Sequence, residues 1–281
     1  MSIGIIIPLP AYHLDPAFLA EKAENLGFDS IWCGEHPILP VHSTSRFPGS
    51  PDGVIPWTYA HFVDPFMALA RASGATKRIK LGTAITLITE RNPLILAKES
   101  ATLDHFSGGR LILGIGTGWH KEETEIMGGD FDHRWTQAKE AVDVLKKLWT
   151  NDAVEHHGKY YDFPPIKSYP KPKQQPHPPI LLGGMAPNVL KRVVAYADGW
   201  LPNRLTIDEV KQKRHELDVL AEGAGRDPST LTITVHAPGF DPSLVKSYLK
   251  NGASRVTLRA PSVTSEKAAG QELEKFAKAL L

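Results

Sequence analysis

The sequence has little of several features that would quickly assign it to a class. A single cysteine, Cys33, among 281 residues excludes an intrachain disulfide. No apolar run is long enough to cross a bilayer, and residues 1–10 lack the cationic start of a signal peptide. A net charge of +1 predicts no basic surface for nucleic acid or membrane. We therefore expect a cytoplasmic protein that binds neither.

What the chain does have is a repeated succession of strand and helix patterns. Hydrophobic residues make up 42% of the chain, which is typical of a globular protein. Alternating strands and helices favour parallel strands, and eight such strands favour a closed (β/α)8 TIM barrel, here one domain over residues 1–281. The predicted strands are residues 3–7, 30–33, 79–87, 110–115, 180–182, 199–201, 231–235 and 255–258.

Two segments interrupt this alternation. Residues 37–63 follow the second strand and are rich in proline, glycine and serine. Residues 151–179 follow the fourth helix pattern, at 133–149, and contain many prolines. We interpret both as insertions, the second on the rim of the barrel, and predict that together they form a lid over a ligand.

Two predicted strands run directly into glycines. The first ends in Gly116-Thr117-Gly118 and the second in Gly183-Gly184-Met185, before a helix predicted to open at Pro187. Carboxyl ends of parallel barrel strands share one face, where TIM-barrel sites lie. Glycine lets a backbone approach a ligand closely, and N–H groups at a helix start suit an anion. The pattern predicts one phosphorylated cofactor held across several strand ends.

Side chains for chemistry follow the second strand. His36 can donate a hydrogen bond or move a proton near neutral pH, so we predict a catalytic role for it. Glu35 is a second catalytic candidate, with a structural role as the alternative. Trp57 and Trp119 are candidates for an apolar substrate pocket, although aromatic residues also serve in packing.

Several other site classes are excluded. Gly116-Thr117-Gly118 does not have the spacing of the dinucleotide fingerprint, so we expect no Rossmann site. No Cys or His cluster has metal-ligand spacing, and His156 and His157 would point to opposite faces of a strand, so we predict no metal. The sequence also lacks the Gly-x-Ser-x-Gly elbow of esterases.

Short motifs spread over about residues 3–202 carry a family resemblance. They are residues 26–32 (LGFDSIW), 35–36 (EH), 81–84 (LGTA), 91–93 (RNP), 101–104 (ATLD), 107–110 (SGGR), 113–119 (LGIGTGW), 158–161 (GKYY) and 197–200 (ADGW). In these motifs the chain resembles the luciferase-like flavin oxidoreductases, which include a branch that uses the deazaflavin coenzyme F420.

The resemblance implies a luciferase-like barrel that binds reduced FMN or, as the alternative, coenzyme F420 at the strand ends. It places His36 beside the reactive ring, and a cis peptide between Ala84 and Ile85 against the ring centre. It also implies a small-molecule substrate, a homodimer and, with FMN, a separate flavin reductase. The predicted cofactor-binding residues are Thr83, Ala84, Ile85, Gly116, Thr117, Gly118, Gly183, Gly184 and Met185.

Two departures limit what the resemblance implies. Thr117 stands where bacterial luciferase has a phosphate-binding arginine, and Trp119 stands where the sugar-phosphate dehydrogenases have an acidic proton donor. We therefore assume neither light emission nor sugar-phosphate oxidation. A monooxygenase with reduced FMN is the main hypothesis, because lysine outnumbers arginine, unlike in the GC-rich actinobacteria where F420 is common. Hydride transfer with F420, and a non-catalytic flavin-binding barrel, are the alternatives.

Overall fold

The strands alternate with helices along most of the chain. The computed structural model describes residues 1–237, 241–260 and 263–281. In chain order the strands are β1 (Ile3–Ile6), β2 (Ser30–Cys33), β3 (Lys80–Thr83), β4 (Thr86–Leu87), β5 (Leu111–Gly116), β6 (Val154–His157), β7 (Asp162–Ile166), β8 (Ile180–Gly183), β9 (Gly199–Leu201), β10 (Thr232–His236) and β11 (Arg255–Arg259).

Parallel pairing closes these strands into a barrel. The order around it is β1, β2, β3, β5, β8, β9, β10 and β11, and β11 pairs again with β1. The short strand β4 pairs with β5 and continues β3. The predicted eight-stranded barrel is therefore confirmed, but its third strand, predicted as one run over 79–87, is broken at Ala84 and Ile85.

Helices cover the outside of the barrel. They are α1 (Pro16–Leu26), α2 (Pro65–Ala75), α3 (Pro93–Ser107), α4 (Lys121–Ile126), α5 (Arg134–Thr150), α6 (Val189–Tyr196), α7 (Ile207–Gly223), α8 (Pro242–Lys250) and α9 (Glu266–Leu280).

Local capping explains where several helices begin. The side chains of Asp15 and Asn92 accept hydrogen bonds from first-turn amides, and Thr206 and Glu209 form a reciprocal capping box. Helix α6 begins two residues after Pro187, while α4 and α9 had no counterpart in the sequence analysis. Across the described ranges, no helix has the length and apolar character needed to cross a membrane.

The apolar core has two parts. The larger part lies between the sheet and the helices and includes Val235 and Leu258. A smaller group inside the barrel contains Trp32, Ile112, Leu181 and Leu201, with Ile6, Ala84 and Ile85 packed against it. Because successive side chains alternate, His236 on β10 and Arg259 on β11 share the inward phase.

The segment 151–179 packs on the outside of the barrel. Strands β6 and β7 form an antiparallel hairpin, and Glu140 on α5 accepts hydrogen bonds from the amides of Tyr160 and Tyr161 at 3.0 and 2.9 Å. Farther along, Gln174 Nε2 donates to the carbonyl of Leu111 at the amino end of β5, at 2.8 Å. These contacts lie along α5 and at the amino end of the strands, so the segment does not take the position that the lid prediction requires.

Candidate active site

The carboxyl ends of the barrel strands, which we call the mouth, bring the glycine-ended strands together around Ile85. A Cβ atom at Gly116 would overlap Ile85 Cδ1, and one at Gly183 would lie 2.8 Å from Ile85 Cγ2. A Cβ atom at Gly114 would overlap the carbonyl oxygen of Thr83. These glycines are therefore required by the third barrel strand, whose Ala84–Ile85 peptide is cis. The prediction that Gly116 and Gly183 share one mouth agrees with this packing.

The turn after β8 offers fewer free donors than the sequence suggested. Gly184, with a left-handed φ of 92°, donates its N–H to the carbonyl of Leu201 at 3.1 Å, so this amide is not available to a phosphate. The Asn188 side chain does not cap α6, which leaves the first turn of that helix without a side-chain acceptor. Met185 is 46% exposed beside this turn. The amides after Gly184 are therefore the better candidates for holding an anion.

Two other predicted cofactor residues are buried behind the strand ends. Thr83 donates its hydroxyl to the carbonyl of Gly114 at 2.6 Å, so this side chain joins two barrel strands. Thr117 is also buried, and Gly118 has a left-handed φ of 73°, where an added Cβ atom would lie 3.1 Å from Glu90 Oε1 and from Thr124 Oγ1. The hydroxyl proton of Thr83 is thus used within the protein and is not available to a ligand.

His36 lies at the mouth and is paired with a carboxylate from α4. Its Nδ1 is 2.6 Å from Oε2 of Glu123, and the two side chains are 6% and 0% exposed. A carboxylate can only accept, so Nδ1 donates and Nε2 is left as the ring nitrogen that can reach a ligand. The fixed tautomer suits His36 for hydrogen bonding or proton movement.

Aromatic rings surround His36 on the other side. Its ring centroid lies 5.1 Å from that of Tyr59, 5.3 Å from Phe62 and 5.7 Å from Trp119. Trp119 thus joins this cluster, as expected for a pocket residue. Trp57 does not: it is 68% exposed and contacts His61, so its place in a substrate pocket stays a prediction. Tyr59, two residues further on, is the residue of this helical turn that reaches the ring of His36.

The segment 37–63 reaches this cluster and is fastened to α4. Its residue Phe47 lies 5.5 Å from Trp119 between ring centroids. The Glu122 carboxylate accepts hydrogen bonds from Ser43 Oγ, Thr44 N, Thr44 Oγ1 and Ser45 Oγ at 2.6–3.2 Å. The Ser45 hydroxyl and Thr44 amide hold the pKa of Glu122 well below its usual value. A short serine-threonine run therefore anchors the segment at the mouth.

The carboxylate of Glu35 is hydrogen-bonded to groups of the protein through both of its oxygens. One carboxylate oxygen accepts the Leu87 N–H at 2.8 Å and the other accepts Arg91 Nε at 2.7 Å. Arg91 also donates to Asp64 at 2.6 Å and to Glu99 at 3.0 Å. Burial raises the pKa of Glu35, while Arg91 acts against this rise. Because both oxygens are committed, these contacts favour the structural alternative, in which Glu35 positions β4, and its catalytic role stays a prediction.

Behind His36 lies a second buried carboxyl, Glu90. Burial, with the nearby carboxylates of Glu123 and Glu35, raises its pKa to about 8. Its Oε1 accepts from the Thr124 hydroxyl at 2.8 Å, while its Oε2 has no partner among the described residues. Oε1 of Glu123 and Nε2 of His120 are likewise buried without a partner. The site thus holds a neutral carboxylic acid and unused polar atoms close to His36.

The opposite side of the mouth is basic. His236 ends β10, Arg259 ends β11, and Arg204 follows β9. Burial and the neighbouring Arg259 and Arg204 lower the pKa of His236 to about 4. The same two arginines also act on Tyr59, where they oppose the rise in pKa that burial causes. The guanidinium groups of both arginines therefore lie near the aromatic cluster beside His36.

Four candidate functional residues were not predicted from the sequence: Glu90, Arg91, His120 and Glu123. Locally, Glu123 looks like a surface charge in the run Lys121-Glu122-Glu123, and only packing of α4 against the mouth buries it. A signal was present for Glu90 and Arg91, because they directly follow the apolar run of the third barrel strand, where barrel sites lie. Arg91 was used only as part of a family motif.

The fold and the site define a TIM-barrel protein with its functional groups at the strand ends. A family model described as luciferase-like monooxygenase matches residues 16–240. The chain therefore belongs to the luciferase-like monooxygenase family.

Related proteins match all or part of the chain. An uncharacterized protein of Mycobacterium tuberculosis is 32% identical over 96% of this chain and 95% of its own length. The F420-dependent glucose-6-phosphate dehydrogenase of Amycolatopsis mediterranei is 33% identical over 65% of this chain and 51% of its own. The oxygenase component of the flavin-dependent trigonelline monooxygenase of Acinetobacter baylyi is 33% identical over 60% of this chain and 42% of its own.

Solved structures confirm the fold. The monooxygenase RslO1 from Streptomyces bottropensis has a TM-score of 0.80, with 20% identity over 100% of this chain and 98% of that chain. An F420-dependent secondary alcohol dehydrogenase, solved with an F420-acetone adduct, has a TM-score of 0.78 and 19% identity over 100% and 99% of the two chains. At this identity the two structures show a common barrel and nothing finer.

Proposed function

We propose that this protein binds a reduced flavin or the deazaflavin F420 at the barrel mouth and uses it in an oxidoreductase reaction on a small organic substrate. The observation that carries the proposal is the convergence of Gly116 and Gly183 on Ile85, at the same mouth where His36 is paired with Glu123. Ala84 and Ile85 would support the ring, and the amides after Gly184 would hold its phosphate.

The cofactor supplies the redox chemistry: reduced FMN allows oxygenation by dioxygen, and reduced F420 is a hydride donor. The chain supplies the environment. His36 presents Nε2 to the reacting centre, and Glu123 keeps its ring in one orientation. The aromatic rings of Tyr59, Phe62 and Trp119 exclude water beside it.

The choice between the two cofactors decides the reaction, and reduced FMN remains our first hypothesis. The Acinetobacter relative carries the name of an oxygenase component, which supports a monooxygenase that works with a separate flavin reductase. The Amycolatopsis relative, which is named as F420-dependent, supports the hydride-transfer alternative. A homodimer stays a prediction from the family resemblance.

Anaerobic titration of the protein with reduced FMN and with reduced F420 tests the proposal. We expect saturable quenching of tryptophan fluorescence by one of the two, because Trp119 lies beside His36. Trp119→Phe should lose most of this signal, whereas Trp57→Phe, which changes an exposed residue, should keep it. Failure to bind either cofactor would contradict the proposal. Binding without turnover of any tested donor would favour a non-catalytic barrel.

A further inference from the structure

We propose that Arg204 and Arg259 bind an oxyanion of the substrate, such as a carboxylate, phosphate or sulfonate group, on the basic side of the mouth. This inference deepens the proposed function, on which it rests for the identification of the ligand as the substrate. It assigns the substrate a negative charge at the end that lies away from the reacting carbon or heteroatom.

The placement of the two arginines carries the first step. Arg259 is on the inward phase of β11, next to His236 on the neighbouring strand β10, and Arg204 is three residues beyond the end of β9. Strands β9, β10 and β11 are adjacent in the barrel, so these residues lie along one arc of the mouth. Both guanidinium groups act on His236 and on Tyr59, which contacts the ring of His36.

The charge of this arc is not compensated. Within the described part of the chain neither Arg204 nor Arg259 forms a hydrogen bond or an ion pair, and both are exposed. The stretches 238–240 and 261–262, which adjoin β10 and β11, contain no Asp or Glu. His236 is neutral at pH 7 because its pKa is lowered, so it contributes no charge of its own. A bound anion would offset the mutual repulsion of the two cations.

A second arginine on the same strand shows that the pattern is specific to the mouth. Arg255 has the same inward phase as Arg259, but it lies at the amino end of β11, where it is paired with Asp29 at 2.8 Å. Strand β11 thus has a paired arginine, Arg255, at its amino end and, among the described residues, an unpaired arginine, Arg259, at its carboxyl end, at the mouth. A guanidinium group is also suited to an oxyanion because its parallel N–H donors match two oxygens.

The ligand is the substrate rather than the cofactor phosphate because of where the two sites lie. The proposed phosphate site follows β8, and Arg204 follows the neighbouring strand β9, but Arg259 is on β11, three strands further around the barrel from β8. The assignment to the substrate therefore rests on Arg259. The arginines act on Tyr59, and Tyr59 contacts the ring of His36, so a molecule that reaches from the arginines to His36 passes along the aromatic cluster.

Titration with inorganic phosphate, followed by NMR of the arginine Nε–Hε groups, tests the anion site. We expect saturable shifts for Arg204 and Arg259 but not for Arg255, with chloride at equal ionic strength as the reference. The double variant Arg204→Gln/Arg259→Gln should bind phosphate at least about tenfold more weakly. The double variant Lys80→Gln/Lys275→Gln, which removes the same charge at exposed sites, should bind as the wild type does. Equal affinities in the two double variants would overturn the site.

Titration of the same variants with reduced FMN and F420 separates this inference from the proposed function. We expect the arginine double variant to bind the cofactor as tightly as the wild type. A parallel loss of cofactor and phosphate binding would assign the anion to the cofactor and overturn the substrate assignment. A wild type that binds phosphate at the arginines but binds neither cofactor would refute the proposed function and support the anion site.

Discussion

On the β2–β5 side of the mouth, the charged groups are buried and paired, whereas on the β9–β11 side they are exposed and unpaired. Glu35 and Arg91 compensate each other on the first side, and Glu123 is bonded to His36. Arg204 and Arg259 have no such partner among the described residues. The first side fixes the geometry of reacting groups within the fold, and the second leaves its charge for a ligand. Substitutions on the first side should therefore lower turnover or stability, whereas substitutions on the second side should mainly weaken ligand binding.

His36→Ala should have the largest effect on activity. Loss of a group positioned to donate a hydrogen bond or move a proton costs about 10²–10⁴-fold in turnover. Cofactor affinity should change little, because the glycine-ended strands and Ile85 are untouched. The measurement is steady-state turnover of a substrate found by screening with each reduced cofactor. His157→Ala, an exposed histidine on the outer hairpin, is the control. Turnover equal to that of the wild type would remove His36 from the mechanism.

Arg91→Ala should have the largest effect on stability. It would leave Glu35 buried without its cation and would also release Asp64 and Glu99, so we expect a loss of about 3–5 kcal/mol in the free energy of unfolding. Urea unfolding measures it. Arg259→Gln on the other side should change stability by less than about 0.5 kcal/mol, since no ion pair is lost. Similar losses of unfolding free energy for the two variants would contradict the conclusion that only the first side has charged groups paired within the fold.

Arg71→Ala controls for the loss of an ordinary ion pair. Arg71 is paired with Asp15 at an exposed site, where its side chain is 63% exposed. Exposed pairs contribute about 1 kcal/mol or less. A cost for Arg91→Ala that did not exceed this value would show that burial of Glu35 is not what makes its pairing important.

Glu90→Gln should have a smaller effect that depends on pH. Glu90 binds its proton more tightly in the folded chain, with a pKa of about 8 against a usual value of 4.5. Its stabilising contribution is therefore complete below about pH 4.5 and is lost progressively as pH rises from there to about 8. Glutamine is neutral throughout, so the stability of the variant relative to the wild type should rise by about 2–3 kcal/mol as pH rises from about 5.5 to about 7.5.

Urea unfolding of the wild type and of Glu90→Gln at several pH values measures this change. Glu125→Gln on the exposed face of α4 provides the control, since Glu125 forms only a solvent-exposed pair with Lys121 at 3.5 Å. Parallel pH curves for Glu90→Gln and the wild type would show that Glu90 is ionised in the folded protein. In that case, the buried side of the mouth would carry more negative charge than the structure indicates.

Local pattern was sufficient for most of the barrel. Continuous apolar runs predicted strands such as β2, which has the predicted bounds Ser30–Cys33, because parallel strands are buried on both faces. The start of α1 at Asp15 and of α7 at Thr206 agrees with capping by those side chains, which are residue types that favour this position. Helix α9 was missed although Ala269, Leu273 and Phe276 recur at helical spacing, so its signal was available in the sequence.

The features that sequence reasoning could not supply arise from contacts between distant segments. The run 79–87 reads as one strand, and only the fit of Ile85 between Gly116 and Gly183 shows why it is broken. Likewise, Glu90 and Glu123 are ordinary charged residues until α4 packs over the mouth and buries them. His36 could be found from its position after a strand, but its partner could not.

The fastening of segment 37–63 has a consequence for how this enzyme can be adapted. Four hydrogen bonds from three consecutive residues end on the single carboxylate of Glu122, which is not part of the group around His36. A substitution at Glu122 would remove these four hydrogen bonds, whereas the contacts of Tyr59 and Phe62 with His36 do not involve Glu122. Residues 43–45 can therefore change in sequence without a direct change in the contacts of His36.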